Sequence, residues 1–199
     1  MKCLVTGFEA FEGVEQNPTK EIVERLPATI DDVSLIKRVL PVEYGIVDRI
    51  VSDELFSEVD SVLMLGAAGE AKFGRLEAQA FNVCDSAVAD NLGRIESQTA
   101  IESSFPFGMN LGSDIDLEAL LKATQDSPMP WRRSEDPGRF VCNDSYFRML
   151  VRASRRTSSC PTLFVHIPVP GREDSMWSYR LIEESVRLVL RQFLVLVQE

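Results

Sequence analysis

At 199 residues the chain suits one domain, residues 1–199, with a single buried core and no visible linker. A composition 45% hydrophobic and 26% charged is that of an ordinary globular protein, and a net charge of -10 argues against nucleic acid as a partner, because phosphate binding needs clustered lysine and arginine. The apolar run at residues 1–7 is too short for a signal peptide, and the run at 188–197 is shorter than a membrane span and carries Arg191, so the expectation is a cytoplasmic protein with no membrane partner.

Residues 2–6 read as a short buried strand. It ends in the loop Gly7-Phe8-Glu9-Ala10-Phe11-Glu12-Gly13, followed by a helix with Asn17 as N-cap and Pro18 at its first position. The glycine spacing is not that of a phosphate-binding fingerprint. Phe8 and Phe11 have two readings, core residues or the wall of a pocket at a strand's C-terminal end, and their spacing leaves both open.

Residues 33–42 predict a second strand, and residues 44–56 a helix with Ile46, Val47, Ile50, Val51 and Leu55 on one face. An apolar strand at 61–65 leads into Gly66-Ala67-Ala68-Gly69, small residues that let backbone approach another group closely. Alternating strands and helices predict a mainly parallel sheet covered on both faces. Residues 76–83 have strand character with one polar side, on which Glu77 is either a solvent-facing carboxylate or the group that orients a histidine.

Residues 84–114 read as irregular, with a turn at Asp90-Asn91-Leu92-Gly93 and breakers at Pro106 and Gly108; such a segment is a lid or an insertion. A short helix at 116–124 and a strand then lead to Phe140-Val141-Cys142-Asn143. Beyond it Tyr146, Met149, Leu150 and Ala153 repeat at helical spacing. Arg152, Arg155 and Arg156 read as a solvated helix end.

Cys142 therefore falls in the first turn of a helix, where free N–H groups and the positive end of the dipole stabilise a thiolate and can bind an oxyanion. A cysteine nucleophile needs a base, and the chain has one histidine, His166, at the end of an apolar strand over 162–167 closed by Pro168 and Pro170. Alone, a buried thiol or a core histidine is the ordinary fate of each residue; together they form the pair that nucleophilic catalysis requires. The other cysteines, Cys3, Cys84 and Cys160, are too widely spaced for a zinc site or a disulfide framework, which leaves reduced thiols and no metal or organic cofactor. A long helix over 176–198 closes the chain, with an apolar stripe wide enough for core packing and for a homo-oligomer contact.

Three stretches taken in order, Val5-Thr6-Gly7-Phe8-Glu9-Ala10-Phe11 with Asn17-Pro18, then Phe140-Val141-Cys142-Asn143, then Val165-His166-Ile167-Pro168, resemble the pyroglutamyl peptidase I family, the pyrrolidone-carboxylate peptidases. The resemblance spans nearly the whole chain. It implies a three-layer α/β/α sandwich around a twisted, mostly parallel sheet, and a cysteine peptidase that removes an N-terminal pyroglutamyl residue from a small blocked peptide. It also implies Cys142 as nucleophile, His166 as base and Glu77, in Glu77-Ala78-Gln79-Ala80-Phe81-Asn82, as the third member of a triad. Phe8, Phe11 and Phe140 are implied as substrate-binding residues.

The chain departs from the family pattern in three places. Ala10 replaces a proline; Gly66-Ala67-Ala68-Gly69-Glu70-Ala71 lacks a glutamine, a glycine and an arginine; and Ala87 stands where the family carries an arginine. Losing one oxyanion-type donor typically costs about 2.7–4 kcal/mol in the transition state. Arg75 and Arg139 are the neighbouring candidates to replace its charge. The departures keep two alternatives in view: an amidase of the same fold acting on a different acyl or cyclic cap, and a non-catalytic binding protein that retains the triad.

Overall fold

Strand residues alternate between two buried faces, and that alternation sorts the side chains of this protein into two cores. The computed structural model describes residues 1–171 and 176–198. In chain order the elements are β1 (Lys2–Phe8), α1 (Pro18–Arg25), β2 (Thr29–Ile30), β3 (Val33–Leu40), α2 (Ile46–Ile50), α3 (Asp53–Ser57), β4 (Ser61–Ala68) and β5 (Gly74–Glu77). They continue with β6 (Gln79–Phe81), β7 (Asn110–Gly112), α4 (Leu117–Ala123), β8 (Trp131–Ser134), α5 (Val141–Ser154), β9 (Thr162–Pro168) and α6 (Tyr179–Leu196).

The main sheet runs β2-β3-β1-β4-β9-β5-β8, and β6 pairs with β7 in a separate ribbon. β3, β1, β4 and β9 are mutually parallel. β5 enters antiparallel to β9 and carries β8 parallel to itself, while β2 is antiparallel to β3. Cys3, Val5, Leu63, Leu65, Leu76 and Val165 point to one face, against α1, α4 and α6. Leu4, Val62, Met64 and Phe164 point to the other, against α2, α3 and α5. The result is the three-layer α/β/α sandwich with a mostly parallel sheet that the sequence predicts.

The differences are local and have physical causes. The helix expected over 44–56 is two helices, because Val51 leaves helical geometry (φ -97°, ψ 88°) and Ser52 starts a new turn by accepting from the Leu55 N–H at 3.1 Å. The segment 76–83 is split between β5 and β6. The stretch 84–114 is not wholly irregular, since β7 lies within it. The arginines after Cys142 are not a solvated helix end: Arg152 reaches Asp53 at 2.6 Å and the Val51 carbonyl, and Arg156 donates to the carbonyls of Phe56 and Val59 at 3.0 and 2.7 Å. Only Arg155 of the three is exposed. They fasten α5 to the α2–α3 segment.

On α6 the residues Ile182, Val186, Val189, Leu190 and Phe193 are spent on the core. No helix among the described residues is long and apolar enough to cross a membrane.

Candidate active site

β9 is buried along its whole length and delivers His166 near its C-terminal end, on the face that packs against α5. Two neighbours shape its surroundings. On the β4 side its register partner is Gly66, the residue at which a Cβ would lie 2.6 Å from the Phe164 ring and 2.9 Å from His166 Cδ2. The small residues of β4 therefore admit two rings. On the other side β5 sets Arg75 opposite His166 and Glu77 opposite Phe164.

That antiparallel register brings the Glu77 carboxylate across to the imidazole, with Oε1 2.7 Å from His166 Nδ1. Glu77 is wholly buried and His166 is 4% exposed. The Tyr146 hydroxyl donates to the Glu77 carbonyl at 3.0 Å, so α5 also fixes the backbone that carries the carboxylate. Glu77 is thus not a solvent-facing carboxylate but the partner of the histidine.

With Nδ1 occupied, Nε2 is the ring nitrogen left for Cys142, which lies near enough to favour the protonated imidazole. Burial works against the charged ring, but the hydrogen bonds and charges of Cys142 and Glu77 outweigh it and push His166 up to about 9. The Phe164 ring lies tilted against the imidazole with centroids 4.9 Å apart, which limits its rotation.

Cys142 is the second residue of α5, after an extended N-cap at Phe140. The first intrahelical bond is donated by Asp144 to the Phe140 carbonyl, leaving the amides of Val141, Cys142 and Asn143 outside the helical ladder. The buried Asn143 locks this turn to β6: it accepts from the Phe81 N–H at 2.8 Å and donates to the carbonyls of Phe81 and Val83 at 2.9 and 2.8 Å. The other thiols differ in kind. Cys3 is fully buried and pushed up to about 12 by that burial, and burial likewise raises Cys84 and Cys160, whereas Cys142 is only partly buried.

Phe8, Phe11 and Phe140 come together beside Cys142. With Asn17, Val42, Ala67 and Val141 they line a cavity of about 40 Å³. By the volume one ordered water needs, that is room for about three waters, the scale of one small flat ring. Phe140 meets Phe11 at 6.3 Å and Tyr44 edge-on at 5.6 Å, so three aromatics support one another around the opening.

The end of β1 at Phe8 and the loop that carries Phe11 are pinned. The Phe8 amide donates to Thr19 Oγ1 at 2.8 Å, Asn17 Nδ2 to the Glu9 carbonyl at 2.9 Å, and Asn91 Nδ2, from the long segment after β6, to the Ala10 carbonyl at 3.0 Å. Asn82 holds that long segment through the carbonyls of Glu102, Phe105 and Pro106 and the Glu102 amide.

Sequence reasoning read Asn17 only as a helix cap and passed over Val42, Tyr44 and Tyr146. No spacing signals them, since each reaches the site through the tertiary fold. The two arginines singled out for the missing charge separate clearly. Arg139 lies over the Phe81 ring at 4.1 Å and binds Asp136 at 2.5 Å, while Arg75 stands 4.0 Å from the Glu77 carboxylate. Ala87 is exposed and Ala67 faces the cavity.

Residues 1–173 match the family model described as pyroglutamyl peptidase. The chain belongs to that family. It is similar to the pyrrolidone-carboxylate peptidases of Thermococcus onnurineus, 32% identical over 169 residues (84% of each chain), and of Thermococcus kodakarensis, 33% identical over 84% of this chain and 81% of the relative. Among solved structures it resembles the pyrrolidone carboxyl peptidase of Fervidobacterium islandicum (TM-score 0.88, 28% identity, 98% and 99% of the two chains). That of Pyrococcus furiosus gives a TM-score of 0.90 at 25% identity, covering 99% and 100%. Membership makes this chain an enzyme of the peptidase class, a hydrolase.

Proposed function

We propose that this protein is a cysteine peptidase that hydrolyses the amide bond after an N-terminal pyroglutamyl residue, with Cys142 as nucleophile, His166 as general base and acid, and Glu77 as the residue that orients the imidazole. The observation that carries the reading is the buried Glu77–His166 contact of 2.7 Å, with Cys142 near enough to act on the same imidazole and an aromatic cavity that Cys142 helps to line. The names of the relatives support the same substrate.

The lactam ring enters between Phe8, Phe11 and Phe140, because an uncharged flat ring is best held by apolar faces. The Cys142 thiolate attacks the pyroglutamyl carbonyl, and the free amides at the start of α5 face the negative oxygen that forms. As the C–S bond forms and the C–N bond breaks, His166 passes its proton to the departing amine. His166 then takes a proton from water, whose oxygen attacks the thioester; the C–S bond breaks, pyroglutamate leaves, and the thiolate–imidazolium pair returns. Glu77 holds Nδ1–H throughout and stabilises the charged ring.

The test is release of a fluorescent amine from a pyroglutamyl amide by the purified reduced protein, with Cys142→Ser as control. Activity that disappears in the control supports the reading. A folded wild-type protein with no release above the control would overturn it. The same assay run with other acyl amides would then ask whether Ala67, on the cavity wall, marks a different cap.

A further inference from the structure

Arg75 and Glu77 lie two residues apart on β5, so both side chains leave the same face of the strand. The register places Arg75 beside His166. The Arg75 Nε is buried and has no hydrogen-bond partner among the described residues; Glu77 Oε2 is in the same state. The two groups stand 4.0 Å apart, Nε to Oε1, just beyond a hydrogen bond, and catalytic contacts of this kind commonly tighten only when substrate is bound.

A wholly buried carboxylate needs a compensating cation. His166 supplies one only while protonated, and the reaction requires it to give that proton away. A guanidinium stays charged throughout. Among the described residues Arg75 is the one permanent cation within 4.0 Å of Glu77. We propose that Arg75 is a positioning residue that balances the Glu77–His166–Cys142 relay with a fixed positive charge and so sets the pH window in which Cys142 reacts. This inference rests on the reading of Cys142 and His166 as nucleophile and base.

The other charged and titratable groups around the relay leave this role open. From α5, Tyr146 donates to the Glu77 backbone, and burial raises its phenol so that it stays neutral, with Asp114 the further acid that faces it. From β8, Arg132 is the register partner of Arg75, but its guanidinium lies over the Phe73 ring at 4.1 Å. With Arg75 present, the reactive state of thiolate, imidazolium, carboxylate and guanidinium sums to zero. Without it the buried cluster carries one net negative charge, every proton on it becomes harder to remove, and both limbs of the pH profile move to higher pH. A residue that served packing alone would lower turnover without moving both limbs the same way.

The experiment compares the full chain with Arg75→Gln, Arg75→Met and Arg75→Lys. The rate of Cys142 alkylation by iodoacetamide is followed by peptide mass spectrometry across the range in which thiols titrate, alongside pyroglutamyl amide hydrolysis. The two neutral variants are expected to shift both limbs upward by about one pH unit, a loss of about tenfold in alkylation rate on the acid limb, and to lower kcat more than they raise KM. Arg75→Lys is expected to restore the wild-type limbs. Limbs left in place by both neutral variants, or displaced as far by Arg75→Lys, overturn the proposal. If the wild-type chain releases no amine, the peptidase reading fails, and the alkylation profile still decides the role of Arg75.

Discussion

Gly66 offers a sharp test of how the sheet builds the site, because it is not in the chemistry yet touches two of its rings. A methyl group added there would lie 2.6 Å from Phe164 Cε1 and 2.9 Å from His166 Cδ2. Ordinary carbon contacts begin near 3.4 Å, so Gly66→Ala requires the Phe164 ring to retreat by about 0.8 Å and the imidazole by about 0.5 Å. Neither ring has room: Phe164 is fully buried between Phe8 and Tyr146, and His166 is held at 2.7 Å by Glu77. Overpacking of this kind costs about 1–3 kcal/mol, and for a chain of this length each kcal/mol lowers the melting temperature by about 2–4 °C.

The larger effect is expected in catalysis. A shift of that size at the base loosens the Glu77 contact or the Cys142 contact, and misplacements of about 1 Å cost up to about a hundredfold in rate. Gly66→Ala should therefore remain folded, melt a few degrees lower, and lose roughly ten- to a hundredfold in kcat with KM little changed. The control is Gly112→Ala, where the added methyl meets nothing closer than the Ala78 carbonyl at 3.7 Å and neither property should move. Assays are thermal unfolding by circular dichroism and steady-state hydrolysis of the pyroglutamyl amide. A lowered melting temperature with undiminished kcat would mean that Phe164 alone absorbs the strain, and would refute the claim that Gly66 positions His166.

Two further predictions concern the titrating groups. Since the folded structure raises His166 from 6.5 to about 9, the charged ring and the stability it contributes are fully present below pH 6.5 and are lost as pH rises through about 9, so activity and melting temperature should both fall across that window; a pH–rate profile still flat beyond pH 10 would contradict this. Glu77→Gln keeps the shape of the side chain but removes its charge and its preference for the tautomer with hydrogen on Nδ1, so kcat should fall by roughly 10²–10⁴ while the unfolding midpoint moves far less, and full activity in this variant would remove Glu77 from the mechanism.

How much of this was readable beforehand follows from the range of the interactions involved. The first turn at Cys142, the strand that carries His166 and the cap at Asn17 are local patterns, and each stands where the local sequence put it. A lone histidine made the candidate base a matter of counting. The role of Glu77 was not legible from spacing, because it depends on β5 entering the sheet antiparallel beside a strand 89 positions further along the chain. The same holds for Asn82 and Asn143, whose amides tie together segments that no short window contains. The break at Val51–Ser52 escaped because five apolar residues at helical spacing mask a serine with a strong capping preference.

The register of β5 joins the fold and the site in one determinant. Leu76, between Arg75 and Glu77, is fully buried in the core on the opposite face, among Leu163, Val165 and the apolar side of α6. A slip of one residue would turn Leu76 toward Tyr146 and His166 and drive both Arg75 and Glu77 into that apolar core, where neither charge has a partner. The hydrophobic pattern that fixes the strand therefore also aims the carboxylate at the imidazole and the guanidinium at the carboxylate. Because Leu76 enforces all three placements, the relay can keep its geometry while Ala10 and Ala87 on the surrounding loops, and Ala67 near the end of β4, depart from the family pattern.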